Sequence, residues 1–178
     1  MLFRSDTLNI LYPDSVDNFT VDEGFNEIHF GDWEGITATE EQNRHFFTTW
    51  LNRQAVGIGE DSFDDMTGRV VASMLRAADA VLGMAPAEGD VPGAVAACHA
   101  GVIRVANIFW RQWTNDCFYD LTAHNGEGYV FTFEALEPPA DDNCPLPETG
   151  LRTLPAKHAC NPAGRTWSCL SIDALFPS

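Results

Sequence analysis

Cations are scarce in this chain. Ten Lys and Arg stand against 26 Asp and Glu, for a formal charge of −16, and Lys157 is the only lysine. So acidic a surface repels nucleic acid and anionic membranes, which argues against both as partners. An anionic ligand would need a local basic pocket working against the global field. Long apolar runs are missing too, since none approaches the roughly 20 residues that a bilayer span requires. The opening Met1-Leu2-Phe3-Arg4-Ser5-Asp6 has no basic stretch followed by an apolar one. It therefore shows no secretory signal, and a cytoplasmic protein is the expectation. Cys98, Cys117, Cys144, Cys160 and Cys169 include no Cys-x-x-C pair of the kind zinc sites use. No metal site is expected from them, and a cytoplasmic setting disfavours disulfides. Internal repeats and low-complexity tracts are absent as well.

Apolar side chains are plentiful. Hydrophobic residues make up 45% of the 178, with 12 Phe, 5 Trp and 3 Tyr, far too many rings for a disordered chain and enough for the core of one ordinary domain. Composition changes near Leu136. Residues 1–136 read as the domain. Residues 137–178 hold seven of the ten prolines and three of the five cysteines, show little periodicity, and read as a loop-rich tail.

Within the domain, helical and extended patterns alternate. Residues 37–53 open with Thr37-Ala38-Thr39-Glu40, a capping-box spacing, and place Phe46, Phe47, Trp50 and Leu51 on one helical face. A second helix starts after Ser62, which can cap it. Asp64 and Asp65 suit its N-terminus, and Met66, Val70, Met74, Ala78 and Val81 form its apolar stripe. Ala94-Val95-Ala96-Ala97-Cys98 is a short apolar run that reads as a buried parallel strand. It ends at His99-Ala100-Gly101, and Val102–Trp113 continues as a helix. Gly128–Glu134 alternates Tyr129, Phe131 and Phe133 with Val130, Thr132 and Glu134, the period of a half-buried strand. Such alternation predicts a layered α/β domain with a mostly parallel sheet.

Two segments can carry chemistry. At the strand–His99–Ala100–Gly101–helix junction, a histidine lies beside helix N-terminal N–H groups, the position at which open α/β sheets bind ligands. Two readings are open there: a histidine that caps or packs at a loop, and one that meets an anion. The second segment, Phe25-Asn26-Glu27-Ile28-His29-Phe30-Gly31-Asp32-Trp33-Glu34-Gly35, is aromatic and acidic. It reads either as a solvated turn or as a loop supplying a general acid.

Together these segments resemble the histidine phosphatase superfamily, the phosphoglycerate-mutase-like fold. The aromatic–acidic segment is similar to that family's L-x-E-I-x-F-G-x-W-E-G. Gly59-Glu60-Asp61-Ser62, followed by Arg69-Val70, is similar to G-G-E-S and its downstream R-V. Ala97-Cys98-His99-Ala100-Gly101-Val102-Ile103-Arg104 is similar to V-S-H-G-G-x-I-R. The resemblance spans about residues 1–134 and implies a three-layer α/β/α fold. It makes Glu27 the proton donor to the leaving oxygen and His99 the histidine that contacts the transferring phosphoryl group. The N–H of Ala100, which stands where the family has Gly, would hold a phosphate oxygen. Phosphoryl charge needs such donors and the leaving alkoxide needs a proton. That chemistry requires no metal and no cofactor.

One part of the family pattern is missing. The superfamily's nucleophile is a histidine in an Arg-His-Gly motif that ends the first strand, and this chain has no such motif. By the resemblance, the chain begins after the first strand–helix unit. Met1–Leu11 is similar to the later S-P-x-x-R-A-x-x-T helix start, with Arg4 one residue too close to Thr7. Arg4 is thus a candidate phosphate ligand. Lys157-His158-Ala159 is the nearest echo of Arg-His-Gly, without an apolar strand before it. The implied function is hydrolysis of a small metabolite's phosphomonoester through a phosphohistidine, with the nucleophile not found here. The alternatives are a non-catalytic phosphate-binding protein and an interaction module using the acidic face and the tail. Lacking a central strand would leave a sheet edge and apolar surface open, which invites a homodimer.

Overall fold

The structure is a computed structural model. It describes residues 8–10, 12–13, 19–84, 88, 91–114, 117–121, 123–124, 126–136, 158–160 and 165–175, of which 158–160 are described by backbone alone. Arg4, Thr7 and Lys157 lie outside the described residues.

Three helices carry the core: α1 (Glu40–Leu51), α2 (Phe63–Leu82) and α3 (Ala100–Arg111), followed by the single turn α4 (Cys117–Asp120). Thr39 caps α1, accepting from the Gln42 N–H at 3.2 Å while the Gln42 side chain accepts from the Thr39 N–H at 2.8 Å. The capping box therefore stands at Thr39–Gln42 and not at the predicted Thr37–Glu40, because it is Gln42 whose side chain folds back onto the cap donor. Ser62 caps α2 as expected, accepting from the Asp65 N–H at 3.0 Å.

The helices enclose two apolar clusters, with α2 contributing to both. On one side Met66 and Val70 pack with Phe46, Trp50, Leu51, Val102, Val105, Phe118 and Ile28. On the other, Val71 and Leu75 pack with Trp110, Trp167 and Cys169. Val102 and Val105 of α3 sit deeper than Ile103, which is half-buried.

The second cluster is roofed by a sheet that the sequence did not foretell in full. β1 (Tyr129–Leu136) is the expected alternating strand, with Phe131 and Phe133 against the cluster. Its partner β3 (Thr166–Ala174) and the short β2 (His158–Cys160) come from the segment read as loop-rich, and all pairing is antiparallel in the order β1-β3-β2. A bulge explains why β3 was illegible. The register slips between Thr132 and Phe133, leaving Leu170 unmatched, so the inward residues Trp167, Cys169 and Ile172 lose their period of two. Arg165 ties the start of β3 to Asp79 of α2 at 2.8 Å, and Arg111 of α3 donates to the Ile172 carbonyl at 2.9 Å.

The chain is α/β, but a mostly parallel sheet is not found among the described residues. Residues 94–98, predicted as a buried parallel strand, form none: 94–96 are exposed, with Val95 63% accessible, and Ala97 and Cys98 are half-buried. An apolar run makes a strand only beside a partner strand that takes its backbone groups, and no strand is assigned at these residues. No described helix is long and apolar enough to cross a membrane.

Candidate functional site

Three stretches far apart in sequence meet at the N-terminal end of α3. The first, residues 22–34, has little regular structure beyond the 3-10 turns Glu23–Phe25 and Gly31–Trp33. It is laced to the second, residues 56–61, by backbone bonds: the Asp61 N–H to the His29 carbonyl (2.9 Å), the Asp32 N–H to the Ile58 carbonyl (3.1 Å), and a bridge between Phe30 and Glu60. Gly31 makes this approach workable. Its φ of +58° is left-handed, and a Cβ there would collide with the Ile58 carbonyl and the Glu60 nitrogen.

Side chains complete the lacing. The His29 Nδ1 is 2.8 Å from the Gly59 carbonyl, Asp32 accepts from the Ile58 N–H at 3.1 Å, and Glu60 accepts from Val56 and Gly57 at 2.9 and 3.2 Å. Backbone N–H groups, its own first and then those of Val56 and Gly57, hold the Glu60 carboxyl below its ordinary titration range, against a smaller opposing effect of burial.

Glu27 crosses from this platform to the third stretch. One carboxylate oxygen accepts from the Ile28 N–H at 3.0 Å, and the other lies 3.4 Å from the Gly101 N–H in the first turn of α3. Helix N-termini leave N–H groups unsatisfied and carry partial positive charge, so a carboxylate is favoured there. His99 is the N-cap of α3, exposed and with no hydrogen bond from its imidazole among the described residues. The Ala100 N–H that follows likewise has no acceptor among them. Glu27, His99 and Ala100, singled out from sequence, are thus brought together.

The arginines are committed elsewhere. Arg69 spans the carbonyls of Gly24, Asn26 and Glu27 and the Asp61 carboxylate. Arg76 grips Asp22 through both carboxylate oxygens at 2.9 to 3.2 Å. Burial pushes the Asp22 carboxyl up, but Arg76, the Gly24 N–H and the Ser73 hydroxyl together hold it below its ordinary range. Arg104, which follows the His99 motif, turns away, donating to the Leu121 carbonyl at 3.1 Å and stacking on Phe118. None of the bonds of Arg69, Arg76 and Arg104 goes to His99, Ala100 or Gly101. An open hollow of about 580 Å³ lies on the Arg69 side of Glu27, walled also by His29, Glu34, Asp61 and Arg76, and His99 is not on its wall. No group of His, Cys, Asp and Glu among the described residues could hold a metal ion.

Sequence reasoning had marked Arg69 only as part of a motif and missed Asp22, Arg76 and the tight approach at Gly101. Asp61 and Arg69 are eight positions apart across a helix start, so no local period links them. His45, on the outer face of α1, and His124, at a surface turn, are exposed and belong to other elements.

A sequence model of the histidine phosphatase superfamily, branch 1, matches residues 5–140. The chain belongs to this superfamily, whose chemistry is of phosphatase or mutase type. No curated protein and no solved structure matches it.

Proposed function

We propose that the N-terminal end of α3 is a phosphoryl site and that the chain is a phosphatase-like protein acting on a small phosphorylated metabolite. The observation that carries this reading is the Glu27 carboxylate lying 3.4 Å from the Gly101 N–H, beside His99 and the Ala100 N–H, which has no acceptor among the described residues. A negative group already rests on the Gly101 donor. A phosphoryl group seated there would have its oxygens met by the Ala100 N–H and the His99 ring, with the helix N-terminus adding partial positive charge. Glu27, carrying its proton, would give it to the ester oxygen as the phosphorus–oxygen bond breaks, so the product leaves as a neutral alcohol. In-line attack on phosphorus needs a histidine that this sequence does not supply in an Arg-His-Gly segment, and no described residue is assigned to it.

A second reading is a protein that binds an oxyanion without turnover. It is favoured by the arginines, each of which, among the described residues, is already bonded to a carboxylate or a carbonyl. Incubation with a generic phosphate ester, together with trapping of acid-labile phosphate on the protein, tests the pair. Hydrolysis that falls in Glu27→Gln supports the hydrolase. Phosphate or vanadate binding with no hydrolysis supports the second reading, and absence of both contradicts each.

A further inference from the structure

We infer that Arg69 is the positioning residue for Glu27, a role that rests on the proposed part of Glu27 as proton donor. Arg69 projects from the second turn of α2, and its guanidinium meets four acceptors. One terminal nitrogen donates to the carbonyls of Gly24 (3.0 Å) and Asn26 (2.6 Å). The other donates to the Glu27 carbonyl (2.9 Å) and to Asp61 Oδ2 (2.8 Å). That same carboxylate oxygen accepts the His29 N–H at 3.1 Å. The Arg69–Asp61 pair therefore holds the chain on both sides of Ile28, whose side chain is anchored in the first core cluster at 4% exposure.

With the Glu27 carbonyl and the His29 N–H both fixed and Ile28 pointing inward, the backbone at Glu27 has one orientation. In that orientation its carboxylate reaches α3. The loop has no strand ladder to do this work. Without Arg69, the carbonyls of Gly24, Asn26 and Glu27 would lose this donor at once. Lysine cannot stand in: a single rotating ammonium lacks the planar fork that serves carbonyls and a carboxylate together.

The test follows amide resonances and needs no turnover. In the wild-type protein Glu27→Gln shifts the amides of both Ile28 and Gly101, because each touches its carboxylate. In an Arg69→Lys background the Ile28 response persists, being made within the loop, while the Gly101 response is lost. The Trp110 indole resonance shows that the core is intact. An undiminished Gly101 response in folded Arg69→Lys protein overturns the inference. If Arg69→Lys does not fold, Asp61→Asn decides, since it keeps an acceptor oxygen but removes the charge that pairs with Arg69: a lost Gly101 response supports the inference and an unchanged one overturns it. Vanadate titration of the same proteins separates this role from the proposed function. A lost Gly101 response in a protein that never binds vanadate upholds the positioning and removes the phosphoryl site. Vanadate binding with an undiminished response does the reverse.

Discussion

The Glu27 carboxylate lies so close over Gly101 that a methyl group on that glycine would collide with its Oε1. Gly101 stands in the first turn of a regular helix, where alanine is ordinarily preferred. Its place there follows from the carboxylate above it rather than from its backbone angles.

Gly101→Ala should therefore destabilise the protein by about 1–3 kcal/mol, the range for forcing an extra group into a filled space. In a Glu27→Ala background the same change should reverse sign and stabilise by about 0.5–1 kcal/mol, the helix preference for alanine over glycine. Urea unfolding of the four proteins measures the coupling. Equal effects of Gly101→Ala in both backgrounds would show that the carboxylate does not rest there.

Acid should loosen the platform from the Asp22 side. The folded protein holds the carboxyl of Asp22, and that of Glu60, below their ordinary ranges, so the folded state binds fewer protons than the unfolded one. Stability from these groups is present above the unfolded value, about 4 for a carboxyl, and is lost as pH falls through the lower folded value. Unfolding midpoints should drop as pH is lowered below about 4. Asp22→Asn should be less stable than wild type at neutral pH and should flatten that drop. A variant whose midpoint falls with acid as steeply as wild type's contradicts the assignment.

The two buried tryptophans of the sheet-side cluster differ in one respect. The Trp110 indole N–H reaches the Met74 sulfur at 3.4 Å, whereas the buried Trp167 N–H has no partner among the described residues. An orphaned buried donor costs about 1–3 kcal/mol. Trp167→Phe, which removes the orphan, should destabilise less than Trp110→Phe by about 1 kcal/mol, read from thermal or urea unfolding. A larger loss at Trp167 contradicts this.

Much of the helical framework was legible because helical burial repeats along the chain. The stripes of α1 and α2 and the Ser62 cap could be read from spacing, and so could the alternation of β1. Residues 94–98 misled because composition records apolar character and not whether a neighbouring strand is present. β3 escaped because the bulge at Leu170 breaks its period and the prolines before it suggest a loop. Glu27, His99 and Ala100, which the motifs single out as candidates, lie together at the N-terminal end of α3. The fork of Arg69 was not legible, because its partners are mostly backbone carbonyls, which have no signature in sequence. Arg4 lies outside the described residues.

In the proposed function, the N-terminal end of α3 receives a phosphoryl group between His99, the Ala100 N–H and Glu27. Vanadate, a tetrahedral oxyanion that mimics phosphoryl transfer, tests it most directly when titrated into the full chain while amide resonances are followed. Saturable shifts centred on Ala100 and Gly101, with affinity reduced in His99→Ala, are the expected result. Shifts confined to the hollow beside Arg69 and Arg76, or none at all, would contradict it.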